Sequence, residues 1–360
     1  MGSACNRAQH PFNRGDMHAQ HDVPLAPRTT LGIGGAAKRL VTVANVGELE
    51  EALGEAEKTG ERVLVLGGGS NLVVGDGGWD GLVVCLGMRD VTVRRHEDMA
   101  VVSAFAGASW DDFVAQMVSE GLVGVECLSG IPGQVGATPM QNVGAYGQEV
   151  GDTLVLVRAY DRQTRQVVTF DRQACGFSYR ASVFKGSARH VILEVRFRLA
   201  IGKDSVPIRY AELSRALGVA EGERAPLAAV RSTVISLRRG KGMVVDAADP
   251  ESRSAGSFFV NPILDDHALA ALKAKEGAAG VPCFAGPPGT TKVSAAWLIE
   301  NAGFAKGYTK GNVGISKKHA LALVNRGGAT ATELMDLARE IQAGVRAKFG
   351  VELSPEPIVI

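Results

Sequence analysis

The 360-residue chain carries 39 Lys and Arg against 38 Asp and Glu, a net charge of +1. It is long enough for two or three domains, and too evenly charged to show an electrostatic footprint for nucleic acid or an anionic membrane. Hydrophobic residues at 46% and charged ones at 21% exclude a disordered chain, while 45 glycines point to tight turns or close backbone approaches to a ligand. Cys5, Cys85, Cys127, Cys175 and Cys283 are scattered, with no C-x-x-C pair, which fits a reducing compartment. No apolar run approaches the ~18 residues of a bilayer span and no signal-peptide order opens the chain, so it reads as cytoplasmic.

Residues 1–21 are polar and aperiodic and read as a disordered leader, with Met17 as an alternative start. Residues 39–43 then read as a strand, Leu49, Ala52, Leu53 and Ala56 recur at helical spacing, and residues 63–66 form a second apolar run. That is a β-α-β signal. The run stops in Gly67-Gly68-Gly69-Ser70-Asn71, a turn at a strand end. Residues 101–106 precede a helix from Trp110, capped by Ser109, with Phe113, Met117 and Val118 on one face. A glycine-dense stretch over 128–137 leads to Gln141-Asn142-Val143-Gly144-Ala145-Tyr146-Gly147, and strands follow at 154–160, 166–170 and 191–199, an α+β pattern. Near Arg239 the pattern changes, which places a domain boundary there. The last helix is the clearest element, with Thr330-x-x-Glu333 as a capping box and Leu334, Leu337, Ala338, Ile341 and Val345 on one face. Pro355 and Pro357 hold the final residues extended.

Gly32-Ile33-Gly34-Gly35-Ala36-Ala37 matches the dinucleotide fingerprint letter for letter, but no strand precedes it and no helix follows. Gly67 to Asn71 has a different logic. Successive residues without a Cβ let backbone N–H groups converge on a diphosphate, although a plain tight turn reads the same way. The second loop, Gly130 to Gly136, favours a long ligand with a pyrophosphate and a flat ring. Tyr179-Arg180-Ala181-Ser182-Val183-Phe184-Lys185 supplies a planar fork for a carboxylate, or is a strand with snorkelling bases. Ser257 lacks a G-x-S-x-G elbow, and its bland role is a hydroxyl bonded to backbone. Glu356 alone reads as a solvated tail charge. The seven histidines form no H-E-x-x-H and no pair at helical spacing, so no metal site is expected.

In this order these segments, with Thr30-Leu31-Gly32-Ile33-Gly34-Gly35, Gly256-Ser257-Phe258-Phe259-Val260-Asn261-Pro262, Ala296-Trp297-Leu298-Ile299-Glu300 and the 353–356 tail, resemble the UDP-N-acetylenolpyruvoylglucosamine reductase family from about residue 29 to residue 356. The resemblance implies an α+β protein. Its two-part FAD-binding module, of the vanillyl-alcohol-oxidase-like flavoprotein class, would cover 22–95 and 96–238, followed by a substrate-binding domain over 239–350 and a tail, 351–360, returning to the active site. FAD would lie against Gly67, Gly68, Gly69, Ser70, Asn71, Gly130, Ile131, Pro132, Gly133 and Gly136.

NADPH would be the reductant, and an enolpyruvyl nucleotide sugar would be reduced to its lactyl ether. By the same resemblance Ser257 donates the proton, Arg180 neutralises charge on the substrate carboxylate and Glu356 acts on the enolate. Tyr179 and Asn261 would line the site, Lys241 would sit near the nucleotide diphosphate, and Tyr210 would cover it from a loop that marks the longer, type I subgroup. The chain departs from the usual family pattern in having Thr29 before the first motif and Ser354-Pro355-Glu356-Pro357 in the tail. Small-molecule partners are expected, with no nucleic acid and no membrane, and the sequence leaves protein partners open. Two other readings stand beside this one: a flavin oxidase using oxygen, and a non-catalytic flavin or nucleotide-sugar binder.

Overall fold

A computed structural model describes residues 19–360. Most of the expected leader, with Met17, lies outside the described residues. The leader's last two residues do not belong to it: Gln20 and His21 open a strand, β1 (Gln20–Pro24), which pairs antiparallel with β2 (Ala36–Val43). Backbone hydrogen bonds hold β1, so its polar side chains gave no periodic signal.

From β2 the chain crosses through α1 (Val46–Thr59) to β3 (Arg62–Leu66), then β4 (Leu72–Val73) and β5 (Trp79–Leu86). The side chain of Asn45 caps α1 by accepting from Glu48 N, Gly60 ends it at φ +70°, and Leu49, Ala52, Leu53 and Ala56 are its buried stripe. The sheet order is β1-β2-β5-β3, with β2, β5 and β3 parallel. In the fingerprint look-alike, an added Cβ on Gly34 would sit 2.5 Å from Val74 Cβ, and one on Gly35 would sit 2.4 Å from Asp76 O. Those glycines let two backbone segments touch.

The second region contains β6 (Val91–His96), β7 (Met99–Phe105), α2 (Trp110–Ser119), β8 (Leu122–Val123), β9 (Gly144–Ala145), β10 (Gln148–Glu149), β11 (Leu154–Asp161), β12 (Gln166–Asp171) and β13 (His190–Ile201). Its antiparallel sheet runs β12-β11-β13-β7-β6, with β8 added to β13. Trp110 and Phe113 of α2 stack with Phe197 of β13 at 5.0–6.0 Å, in a core that also takes Val41, Leu49 and Leu82 from the first region. An excursion then forms α3 (Ala211–Leu217) and α4 (Leu227–Gly240) around Ile208, Leu213, Val230 and Val234. Neither helix is evident from sequence, because α4 buries only Leu227, Val230 and Val234 among exposed and basic residues.

The third region has β14 (Ile263–Asp265), α5 (Asp266–Lys273), β15 (Cys283–Ala285), β16 (Thr290–Val293), α6 (Ala295–Asn301), β17 (Thr309–Lys310), β18 (Val313–Ile315), β19 (Leu323–Asn325), α7 (Ala331–Phe349) and β20 (Ile358–Val359). The capping box of Thr330 and Glu333 starts α7, whose buried stripe runs from Leu334 to Phe349. Asp76, from the first region, also accepts from Ala331 N and Thr332 N at 2.6 and 3.0 Å. Leu31, Ile33 and Val73 join the core of this region, and β20 pairs parallel with β4. No helix among the described residues is long and apolar enough to cross a membrane.

Candidate active site

After β3 the chain turns through residues 67–71. Gly69 has φ +61°, and an added Cβ would lie 2.0 Å from Arg28 O; one on Gly68 would lie 2.7 Å from Gly133 Cα. The second glycine loop is pressed against this one, and Ser70 Oγ donates to Pro132 O at 3.0 Å. Among the described residues, no hydrogen bond is donated by the backbone N–H groups of Gly67 through Asn71. A row of unspent N–H groups beside a cleft fits a diphosphate. That cleft, of about 320 Å³, is lined by residues 65–72, Ile131, Pro132, Met140 and Val143, and its apolar side fits a flat ring. These residues therefore suit FAD. Gly130, Gly133 and Gly136 are not on its wall. Gly133 receives Gly68 and Ser70, Gly136 packs on Ala106, and Gly130 N donates to Asp111 Oδ1 at 2.6 Å.

A larger cleft, of about 830 Å³, adjoins the first and is lined by Tyr146, Tyr179, Tyr210, Lys241, Asn261, Lys292 and His319. Six residues line both clefts: Gly144, Arg180, Arg238, Met243, Ser257 and Glu356. The fold thus brings Arg180, Ser257 and Glu356 to one junction from three distant stretches of sequence.

Each is fixed by its neighbours. Arg180 sits in a tight turn between Ser178 and Ala181 with φ +53°, and its Nη2 donates to Gly144 O at 3.0 Å. Its Nε lies 3.0 Å from Glu356 Oε1. The N–H does not point at that oxygen, so Nε is buried without a hydrogen bond and the contact is ionic. Ser257 is half-buried on the shared wall. The next residue is gripped on both sides, since Phe258 N donates to Leu321 O at 2.7 Å and Glu356 N donates to Phe258 O at 2.8 Å. Glu356 is therefore no free tail charge. Its Oε1 accepts from Gln141 Nε2 at 2.9 Å.

Burial pushes the Tyr179 hydroxyl up from its usual value, and Lys292 Nζ stands 4.5 Å from its ring centre. Asn261 Oδ1 accepts from Ala295 N at 2.9 Å, at the start of α6. Tyr210 precedes α3, is 44% exposed and meets Tyr146 edge-on at 5.4 Å. Lys241, just after α4, donates to Glu212 Oε2 at 2.6 Å.

Sequence reasoning passed over four residues here. Gln141 and Tyr146 stood in a stretch that carried the family resemblance, but neither was singled out as a site residue. Arg238 carried no sequence signal. Burial lowers its guanidinium to about 10, and its Nε is buried without a partner. His319 gave none either. Burial first, then Lys241 and Lys306, depress it to about 4, and its Nδ1 accepts from Leu321 N, which puts the ring proton on Nε2.

Residues 249–360 match the family model described as UDP-N-acetylenolpyruvoylglucosamine reductase, C-terminal domain, and residues 37–169 match an FAD binding domain. The chain is 52% identical over 345 residues to the UDP-N-acetylenolpyruvoylglucosamine reductase of Thermobifida fusca, covering 94% of this chain and 97% of that one. It is 50% identical to the enzyme of that name from Salinispora arenicola, covering 97% and 98%. A crystal structure of the reductase from Thermus caldophilus superposes with a TM-score of 0.66 at 26% identity, covering 95% of this chain and 99% of that one.

Proposed function

The chain belongs to the UDP-N-acetylenolpyruvoylglucosamine reductase family and is an FAD-containing oxidoreductase, and from that premise we propose that it reduces UDP-N-acetylglucosamine enolpyruvate to UDP-N-acetylmuramate in the cytoplasm, with NADPH as reductant, for peptidoglycan precursor synthesis. The observation that carries this reading is the junction itself. A cleft suited to a flavin and a larger one rich in Tyr and Lys share a wall that holds Arg180, Ser257 and Glu356.

The net change adds a hydride to the terminal enol carbon and a proton to the carbon bearing the carboxylate. FAD, held by residues 67–71 and the apolar wall beside them, would supply the hydride chemistry, with NADPH as the source of electrons. Arg180 matches the carboxylate that delocalises the resulting electron pair, and its buried Nε–H has no protein acceptor to give up. Ser257 Oγ–H gives the proton. A hydroxyl is a weak acid, but an enolate carbon is a strong base, so the transfer runs downhill. Lys241, Lys292 and Tyr210 line the larger cleft and are the groups we assign to the nucleotide diphosphate and sugar.

The test is an anaerobic half-reaction. The purified yellow protein is reduced with one equivalent of NADPH, UDP-N-acetylglucosamine enolpyruvate is added, and flavin absorbance is followed. Rapid reoxidation with a lactyl ether product is expected. A flavin that stays reduced until oxygen is admitted would favour an oxidase, and one that NADPH cannot reduce would favour a binding protein.

A further inference from the structure

We infer that Gln141 is a positioning residue: its hydrogen bond to Oε1 of Glu356 fixes the carboxylate so that Oε2 is the oxygen presented to the substrate. The inference rests on the function proposed above and on the action at the enolate that the family resemblance implies for Glu356. Gln141 Nε2 donates to Glu356 Oε1 at 2.9 Å, and Asn71 Nδ2 approaches both Gln141 Oε1 at 3.4 Å and Glu356 O at 3.3 Å. A carboxylate and a carbonyl only accept in these contacts, so both amides are oriented by their partners: each NH₂ must face Glu356, and the Gln141 oxygen must face Asn71.

Arg180 Nε lies 3.0 Å from the same Oε1. Two protein groups therefore crowd one carboxylate oxygen, and among the described residues none donates to Oε2. Glu356 lines both clefts, so its unclaimed oxygen is the one left for a ligand at their junction. The backbone of the tail is held independently, by Glu356 N on Phe258 O and Ile358 N on Asn71 O, at 2.8 and 3.0 Å. Loss of the Gln141 donor leaves Oε1 only the ionic contact with Arg180, with no directed hydrogen bond to orient the carboxylate, and leaves the tail docked.

A second explanation is available, because Gln141 also lines the flavin cleft. The two explanations separate in a double-mutant cycle on the full-length holoenzyme with Gln141→Met, which keeps the shape and removes the donor, Glu356→Gln, and both together. Gln141→Met should keep its flavin and be reduced by NADPH within about two-fold of the parent rate. Its limiting rate of reoxidation by UDP-N-acetylglucosamine enolpyruvate should fall by up to about 100-fold, with little change in half-saturating concentration. The double variant should be no slower than Glu356→Gln alone.

Losses that multiply in the double variant, a parent-like reoxidation rate in Gln141→Met, or a weaker half-saturation with an unchanged limiting rate would each overturn the inference. Should Gln141→Met lose its flavin, Gln141→Asn withdraws the donor by one methylene and keeps the wall polar, and the same comparison decides; flavin loss in both assigns Gln141 to the cofactor wall. If the parent protein itself is not reoxidised by the enolpyruvyl substrate, the proposed function fails instead.

Discussion

Arg180 holds its Nε 3.0 Å from Oε1 of Glu356 without pointing the N–H at it, while its Nη2 is committed to the carbonyl of Gly144. One guanidinium thus ties a turn in the flavin-binding half to the tail and keeps a donor in reserve. A lysine cannot do both. Arg180→Lys keeps the charge and adds no backbone strain beyond that already present at φ +53°. It should slow reoxidation by the enolpyruvyl substrate by about 100-fold or more, as loss of one charge-stabilising donor does. Stopped-flow absorbance measures this, and a parent-like rate would remove Arg180 from the chemistry.

Ser257→Ala separates the two half-reactions. Reduction by NADPH should proceed as in the parent, and reoxidation by the enolpyruvyl substrate should slow by roughly 10²- to 10⁴-fold, the range of a lost general acid. Equal slowing of both steps would contradict the assigned role.

Gly69→Ala should yield a protein with little flavin. The new Cβ would meet Arg28 O at 2.0 Å, in a left-handed conformation that already costs an alanine about 1–2 kcal/mol. The loop must then move away from the backbone it lies on, and its N–H row moves with it. The ratio of flavin to protein absorbance in the purified variant reads this directly.

His319 makes stability depend on pH in a defined window. Its folded value of about 4 lies below the ordinary 6.5, chiefly through burial. Above about 6.5 the ring is neutral in both states and the native contribution is complete. Between 6.5 and 4 the unfolded chain takes a proton that the folded one refuses, so stability falls as pH falls, and below 4 the effect ends. His319→Gln should flatten the slope of melting temperature against pH between 6.5 and 4, and parallel slopes for the two proteins would sink the assignment.

Gly54 is a helical glycine in α1 with ordinary φ and open space where a Cβ would go. Gly54→Ala should stabilise the fold by about 0.5–1 kcal/mol, seen as a rise in denaturation midpoint with an unchanged slope. An unchanged or lowered midpoint would mean that the helix there is less regular than described.

Local signals were enough for some of this molecule. The last helix was legible because Thr330, Glu333 and the Leu334 to Val345 stripe state its start and its buried face together, and the β-α-β opening was legible because Leu49, Ala52, Leu53 and Ala56 share a period. Strand β1 was hidden because its ladder uses backbone groups that any side chain can accompany. The helices at 211–217 and 227–240 were hidden because each buries only two or three residues, too few to state a period.

The site divides in the same way. Gly67 to Asn71 announces itself through glycine chemistry. Ser257 and Glu356 look bland in place and were singled out only through the ordered resemblance of distant motifs, because what brings them to one wall is closure over hundreds of residues. Gln141 and Arg238 reach the clefts through burial and partners that no neighbouring residue encodes.

The contact between Asn71 and Glu356 spans 285 residues, and a two-residue strand pairing, Leu72 with Ile358 and Val73 with Val359, closes that span. Only that short ladder and a few single backbone bonds hold the last residues, so this segment belongs to the part of the native structure that opens on its own, without the rest unfolding. Amide exchange at Ile358 and Ile360 should then be faster than in the central strands of either large sheet. Each such opening loosens the hold on Glu356 and leaves the glycine loops intact, so the time its carboxylate spends at the junction follows a local equilibrium distinct from the global stability.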